Sequence, residues 1–398
     1  MKHLSRLFFW FFWIGFLAHG LLAAPTVSNV TFAQRMDGSK LVDVFYDLAD
    51  TVAGATFSIA LAVSSDNGAT YAVPVTSVTG AAGDGVAVGT GKKIVWDAGT
   101  DWPGQSSTQI KVEVRAWDLK HEASYAFVKI PAGTYSIGNA IGDSDITDAP
   151  ATSMTLSWFY LSVNHTTKAQ WDAVRTWGLT NGYTDLAVGA GKGIDHPVHT
   201  VSWYDVVKWA NAASEKEGLT PCYKVAGAVY RTGSNDSVVC DWNANGYRLP
   251  TEAEWEVAAR GGLVGKRFPW GDTITHSQAN YYSSSSYSYD GSPTRGWHPT
   301  YAVGGEPYTS PVGSFAPNGY GLKDMAGNVF QWCWDWYDFS GTYVGGSDPR
   351  GPSTGSFRVL RGGYWYGNAR DLRCARRDSL SPSSGNSYFG FRLARGRP

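Results

Sequence analysis

The sequence predicts an all-β sandwich followed by a larger α+β domain rich in ordered loops, and three observations carry that prediction. Apolar residues alternate with period two between Pro25 and about Leu119, the spacing of half-buried strands. Beyond Lys120-His121-Glu122, helical spacing shows only in isolated segments, separated by long stretches of Gly, Ser, Asn and Tyr. A chain of 398 residues is also too long for one small core, so two domains are expected after any leader.

The leader comes first. Lys2 and Arg6 give a positive start, Leu7 to Ala18 is almost purely apolar, and Leu22-Ala23-Ala24-Pro25 offers small residues for cleavage. This is the layout of a secretory signal over residues 1–24. The apolar run is short for a bilayer span, so no transmembrane segment is expected after cleavage. The protein is expected to be exported, to a periplasmic, cell-surface or secreted location. The four cysteines, Cys222, Cys240, Cys333 and Cys374, permit two disulfides there. One arrangement joins Cys222 to Cys240 across a turn-rich loop and Cys333 to Cys374.

The sandwich, of immunoglobulin-like size, is assigned to residues 25–119. Val42, Val44, Tyr46 and Leu48 alternate, as do Phe57, Ile59, Leu61 and Val63, and then Ile110, Val112 and Val114. Asp66-Asn67-Gly68 marks a tight turn, because Asn and Gly both accept positive φ. No catalytic constellation appears in this region, and a spacer or docking module is expected.

The second domain is assigned to residues 124–398. Thr167 with Gln170 forms a capping box ahead of Trp171 and Val174, and Thr251 with Glu254 forms another ahead of Trp255, Ala258 and Ala259. Ser202 precedes the helical stripe Trp203, Val206, Val207 and Ala210, with Gly218 just past its end. After Gly261 regular periodicity is almost absent. The formal net charge of −1 provides no field to draw nucleic acid or an anionic membrane. No Ser-His-Asp set or phosphate-cradling glycine loop stands out. Asp195, His196 and His199 lie close together, but no third metal ligand is indicated, and hydrogen-bonded imidazoles are expected there.

Six strings, in order, resemble the formylglycine-generating enzyme (sulfatase-modifying factor) family: FVKIPAGTYSIGN from Phe127, HPVHTVSWYDVVKWAN from His196, YRLPTEAEWEVAARGG from Tyr247, FPWGD from Phe268, PVGSFAPNGYGLKDMAGNVFQWCWDW from Pro311, and RVLRGG…FGFRLAR from Arg358. The resemblance covers residues 124–398 and implies that family's loop-rich α+β fold, related to C-type lectins. It also implies a chemistry, the oxidation of a sulfatase cysteine to formylglycine by members that hold Cu(I) between two cysteines after the RGG motif. Soft thiolates suit Cu(I), yet the matching stretch from Gly362 to Arg370 contains none, and the segment is slightly shorter than the enzyme's. Cys374 matches a family position used structurally, and the enzyme's pattern suggests Cys240 with Cys374 as a competing disulfide. Copper is therefore not expected.

The resemblance further implies a Ca²⁺ site at Asp324, Gly327, Val329 and Gln331, with Gln standing where the family has Glu. A second family site would use Asn280 and Tyr281, with Glu306 replacing a missing Asp. Ca²⁺ accepts such mixed oxygen shells. The tail arginines, from Arg358 to Arg395, are expected to pin carbonyls and acids such as Asp335, Asp338 and Asp378. Between RVLRGG and GFRLA the chain carries Tyr364, Tyr366, Asn368, Asp371, Asn386 and Tyr388. This composition resembles the variable region of proteins diversified by retroelements, in which a rigid scaffold displays tyrosines and small polar contacts. Two functions follow. One is non-catalytic binding of an unknown protein or glycan ligand through those residues. The other is a formylglycine-generating oxidase, or a related oxidoreductase, that uses other groups. Adjacent reverse-transcriptase or sulfatase genes would separate the two.

Overall fold

The computed structural model describes residues 25–50, 56–68, 71, 73–118, 125–340 and 345–396. The predicted leader lies outside the described residues.

The N-terminal region folds as two antiparallel sheets. Strands Thr26–Gln34, Leu41–Ala49, Gly89–Asp97 and Val78–Gly80 lie side by side in that order, and Thr56–Ser64 sits between Gly83–Ala87 and Lys111–Asp118. The alternating residues form the shared core: Val44, Tyr46 and Leu48 from the first sheet meet Phe57, Ile59, Leu61 and Val63 from the second. Asn67 and Gly68 both take positive φ (58° and 87°), and the chain reverses so that Val63 bridges Val73.

The C-terminal region has three main helices, Lys168–Leu179, Trp203–Lys216 and Glu252–Arg260, and each begins with a closed capping box. The boxes pair Thr167 with Gln170, Ser202 with Asp205, and Thr251 with Glu254, so orphan N–H groups at each start are satisfied locally. The first two helices pack through Trp171 and Trp209, whose rings stack 5.5 Å apart. Glu252–Arg260 is buried along its whole length.

A central sheet carries the candidate site. Phe330–Trp336 pairs antiparallel with Arg358–Arg361 and parallel with Phe389–Gly390, and Asp378–Leu380 adds the outer strand. The strand Arg358–Arg361 runs directly into Gly362 and Gly363, at φ 92° and 71°. A Cβ on Gly363 would lie 2.6 Å from Leu372 Cδ1. Only glycine fits there, and this turn launches the Tyr364–Asn368 segment.

Buried ion pairs hold this sheet to the helix behind it. Arg361 and Arg260 both donate to Glu256 (2.5 and 2.6 Å), Arg377 forks onto Glu252 (2.8 and 2.8 Å), and Arg248 forks onto Glu254 (2.6 and 2.7 Å). Arg373 reaches Asp143 and Asp145. Apart from the exposed Arg370, the tail arginines turn inward and reach backbone carbonyls as expected, Arg358 that of Trp334 and Arg361 those of Arg376 and Cys374, but their acidic partners differ from those predicted. Asp335 instead accepts the Glu252 N–H (2.7 Å), and Asp338 accepts the Ser340 N–H (2.8 Å). The helix Glu252–Arg260 presents three glutamates to the sheet from a distant part of the sequence.

All four cysteines are free thiols, so no disulfide braces this structure, contrary to the expectation. Cys222 and Cys240 belong to one core, and Cys333 and Cys374 to another. The competing Cys240–Cys374 pairing would have to join residues packed in separate cores.

Candidate functional site

The predicted contact residues divide into two groups. Tyr364, Tyr366 and Tyr388 come together at the surface: Tyr388 lies 4.7 Å from Tyr364 and stacks at 6.3 Å on Tyr366 between ring centroids. Asn368 and Asp371 serve the local turn. Asp371 Oδ2 accepts the Asn368 N–H (3.0 Å), closing the 3-10 turn Ala369–Leu372. Asn386 is exposed, and its side-chain oxygen accepts the Tyr388 N–H (2.9 Å), so it orients that tyrosine.

Three residues outside the tail complete the cluster. Tyr282 donates its N–H to the Gly367 carbonyl (2.9 Å), which brings its ring within 6.1 Å of Tyr366. Trp297 packs 5.3 Å from Tyr282, 6.0 Å from Tyr366 and 5.4 Å from Tyr308. Trp365 is buried beneath, its N–H bound to the Asn328 carbonyl (2.9 Å) and its ring against Tyr308 and Tyr388. Tyr366 and Trp297 remain 44% and 36% exposed. Large rings left partly in water above a rigid base form an exposed aromatic surface. Trp297 and Tyr308 carried no periodic or motif signal; only the long-range backbone pairing reveals them.

The family's reactive position shows different chemistry. Gly367 and Asn368 occupy the segment after the double glycine, and the nearest thiol in sequence, Cys374, is buried. Burial pushes the Cys374 thiol up to about 12, far from the thiolate that metal binding and nucleophilic attack require.

The calcium set is only partly preserved. Gln331 Oε1 accepts from Trp255 Nε1 (2.7 Å) and from Arg392 Nε (2.6 Å), and its amide nitrogen donates to the Asp324 carbonyl (3.3 Å). Arg392 Nη2 also reaches the Lys323 and Asp324 carbonyls (2.8 and 3.2 Å). Gln331 has no lone pair left for a cation, and a guanidinium already supplies positive charge to these oxygens. Asp324 Oδ2 accepts the Gly313 N–H (2.5 Å), whereas Oδ1 is buried without a partner. Burial raises Asp324 to about 6. One open carboxylate oxygen with the Gly327 and Val329 carbonyls falls short of a six- to eight-oxygen shell.

At the second set, Asn280 donates to the Tyr308 carbonyl (2.8 Å) and its Oδ1 is buried without a partner. Glu306 is exposed. Nearby, Lys192 Nζ donates to the carbonyls of Val303 and Gly305 (2.5 and 3.2 Å). His196 binds Thr309 and His199 binds Thr200 (2.9 Å each), and burial lowers His199 to about 4. Among the described residues no cluster of three or more His, Cys, Asp or Glu is arranged to hold a metal.

The sulfatase-modifying factor enzyme 1-like domain matches residues 117–397. The chain is 36% identical over 296 residues to a formylglycine-generating enzyme of Streptomyces coelicolor, covering 67% of this chain and 88% of that protein. It is 44% identical over 154 residues to a serine/threonine-protein kinase pkn1 of Chlamydia caviae, but covers 38% of this chain and only 21% of that protein. Among solved structures, variable protein 1 of Treponema denticola superposes with a TM-score of 0.53 at 30% identity, covering 68% of this chain and 95% of that one.

Proposed function

The chain belongs to the sulfatase-modifying factor enzyme 1-like family, and from that premise we propose that it is an exported, non-catalytic member that binds a protein or glycan ligand. The aromatic surface of Tyr366, Trp297, Tyr282 and Tyr388 is the binding site. The observation that carries this reading is the exchange at one place in the fold. Where the enzymes of the family hold paired cysteines, this chain has the segment Tyr364–Asn368, which contributes the exposed ring of Tyr366 and the rings of Tyr364 and Trp365 to a seven-ring cluster. Tyrosine and tryptophan bury much area at little entropic cost and recur as anchors of binding surfaces. The likeness to a protein named a variable protein supports a display role for the same segment, with diversification acting on Tyr364, Tyr366, Asn368 and Tyr388. The N-terminal sheets act as a spacer.

Protein and glycan arrays test the proposal. The full chain should bind a discrete set of ligands. Tyr366→Ala and Trp297→Ala should each weaken that binding by about 2 kcal/mol, on the order of 30-fold, without changing the melting temperature. Ligands that bind both variants as tightly as the parent chain would place the site elsewhere.

A further inference from the structure

A second, chemically different site lies away from the aromatic surface. A cleft of about 510 Å³ opens between the N-terminal sheets, at Tyr71 and Arg115, and the C-terminal domain, at Trp158, Trp242, Arg248 and Arg350. Its volume is that of a small-molecule site.

Trp242 is the centre of its C-terminal wall. The Arg248 guanidinium lies 5.0 Å from the Trp242 ring centre and the Arg350 guanidinium 4.3 Å. Two guanidinium groups are thus gathered on one indole, and cation–π attraction holds each in place. Their charges are balanced differently. Arg248 forks onto Glu254 (2.6 and 2.7 Å), yet its Nε–H is buried with no acceptor. No hydrogen bond or ion pair engages Arg350 among the described residues. The acids in the wall are committed. Glu254 is spent on Arg248 and on the Thr251 N–H, and Asp348 accepts the Ser157 N–H and hydroxyl (2.7 and 2.8 Å). Arg115 across the cleft pairs with Glu113 (2.9 Å). On the C-terminal wall, the guanidinium donors left over are the planar fork of Arg350 and the one N–H of Arg248.

We propose that this cleft binds a carboxylate, held by the fork of Arg350 over Trp242 with Arg248 alongside. A guanidinium already held over a ring has lost part of its freedom before the ligand arrives, so its two parallel N–H groups meet a carboxylate at reduced entropic cost. The carboxylate belongs to an acidic sugar or to a peptide C-terminus, and the test separates these sources.

Calorimetric titration of the full chain would use sodium glucuronate and an acetylated dipeptide acid, with glucose and the dipeptide amide as neutral counterparts. Saturable binding of either acid, without its neutral counterpart, is expected, and whichever acid binds identifies the source. Arg350→Gln should weaken that binding at least tenfold, and Arg350→Lys should not restore it, because an ammonium has no fork. Both variants should melt with the parent chain, since Arg350 is exposed. Tyr366→Ala should bind the acid normally. The proposal fails if neither acid saturates, if the neutral counterpart binds equally, if Arg350→Gln binds as the parent does, or if Tyr366→Ala abolishes binding.

Discussion

Glu256→Gln removes one negative charge from a place where solvent cannot replace it. Glu256 and Arg361 side chains are both 0% exposed, with 2.5 Å between Glu256 Oε2 and Arg361 Nη2. Glu256 Oε1 also accepts from Arg260 (2.6 and 2.9 Å) and from the Gly138 N–H (2.7 Å). The neutral amide can keep part of the hydrogen bonding but leaves Arg260 short of a counter-charge and Arg361 with the more distant Glu252 (3.4 Å) to balance it. Breaking a buried pair in this way costs about 3–5 kcal/mol. At roughly 2–4 °C per kcal/mol for a domain of this size, the melting temperature should fall by about 6–20 °C. Tryptophan fluorescence during urea and thermal unfolding reads this directly, since Arg361 lies 5.1 Å from the Trp255 ring centre and Trp255 and Trp332 report the two cores of this domain. Arg361→Met in the Glu256→Gln background should recover part of the loss, because one under-compensated buried charge goes with it. A loss below about 1 kcal/mol, with no recovery in the double variant, would refute the claim that this cluster ties the strand Arg358–Arg361 to the helix.

Two further outcomes follow. Asp324 is raised from 3.8 to about 6 by burial, so the folded chain holds that proton more tightly than the unfolded one. Its stabilisation is complete below about pH 4 and is lost as pH rises through 6, roughly 3 kcal/mol in all; Asp324→Asn should flatten that part of a stability–pH curve, and an unchanged slope would contradict the assignment. Thiol titration should find four reactive thiols after unfolding and Cys240 first in the native chain, because Cys222, Cys333 and Cys374 are buried; two or fewer after unfolding would reveal a disulfide.

The helices were legible because their signals are local. A Thr or Ser and the residue three positions on decide each capping box, and both members sit in one short string. The double glycine was legible as part of a motif, although its steric reason, the approach of Leu372, was not. The tyrosines of the tail were found from composition, yet composition could not separate Tyr366, which faces solvent, from Asp371, which closes a turn. Trp297 and Tyr308 join the site only because Tyr282 pairs with Gly367, a contact across 85 positions. The same limit explains Gln331. Its residue type fits an oxygen ligand, but Arg392, 61 positions away, claims its oxygen. Arginine partners failed for a related reason: acids near in sequence were available, and the fold chose glutamates on a helix more than 100 positions earlier.

The central claim is that this family member binds and does not oxidise. Incubating the full chain in air, so that dioxygen is present as oxidant, with Cu(I) and a cysteine-containing sulfatase peptide, and following the peptide by mass spectrometry, tests it most directly. The account predicts no stoichiometric copper uptake and an unmodified peptide cysteine. One equivalent of tightly held copper with conversion of that cysteine to formylglycine would contradict it.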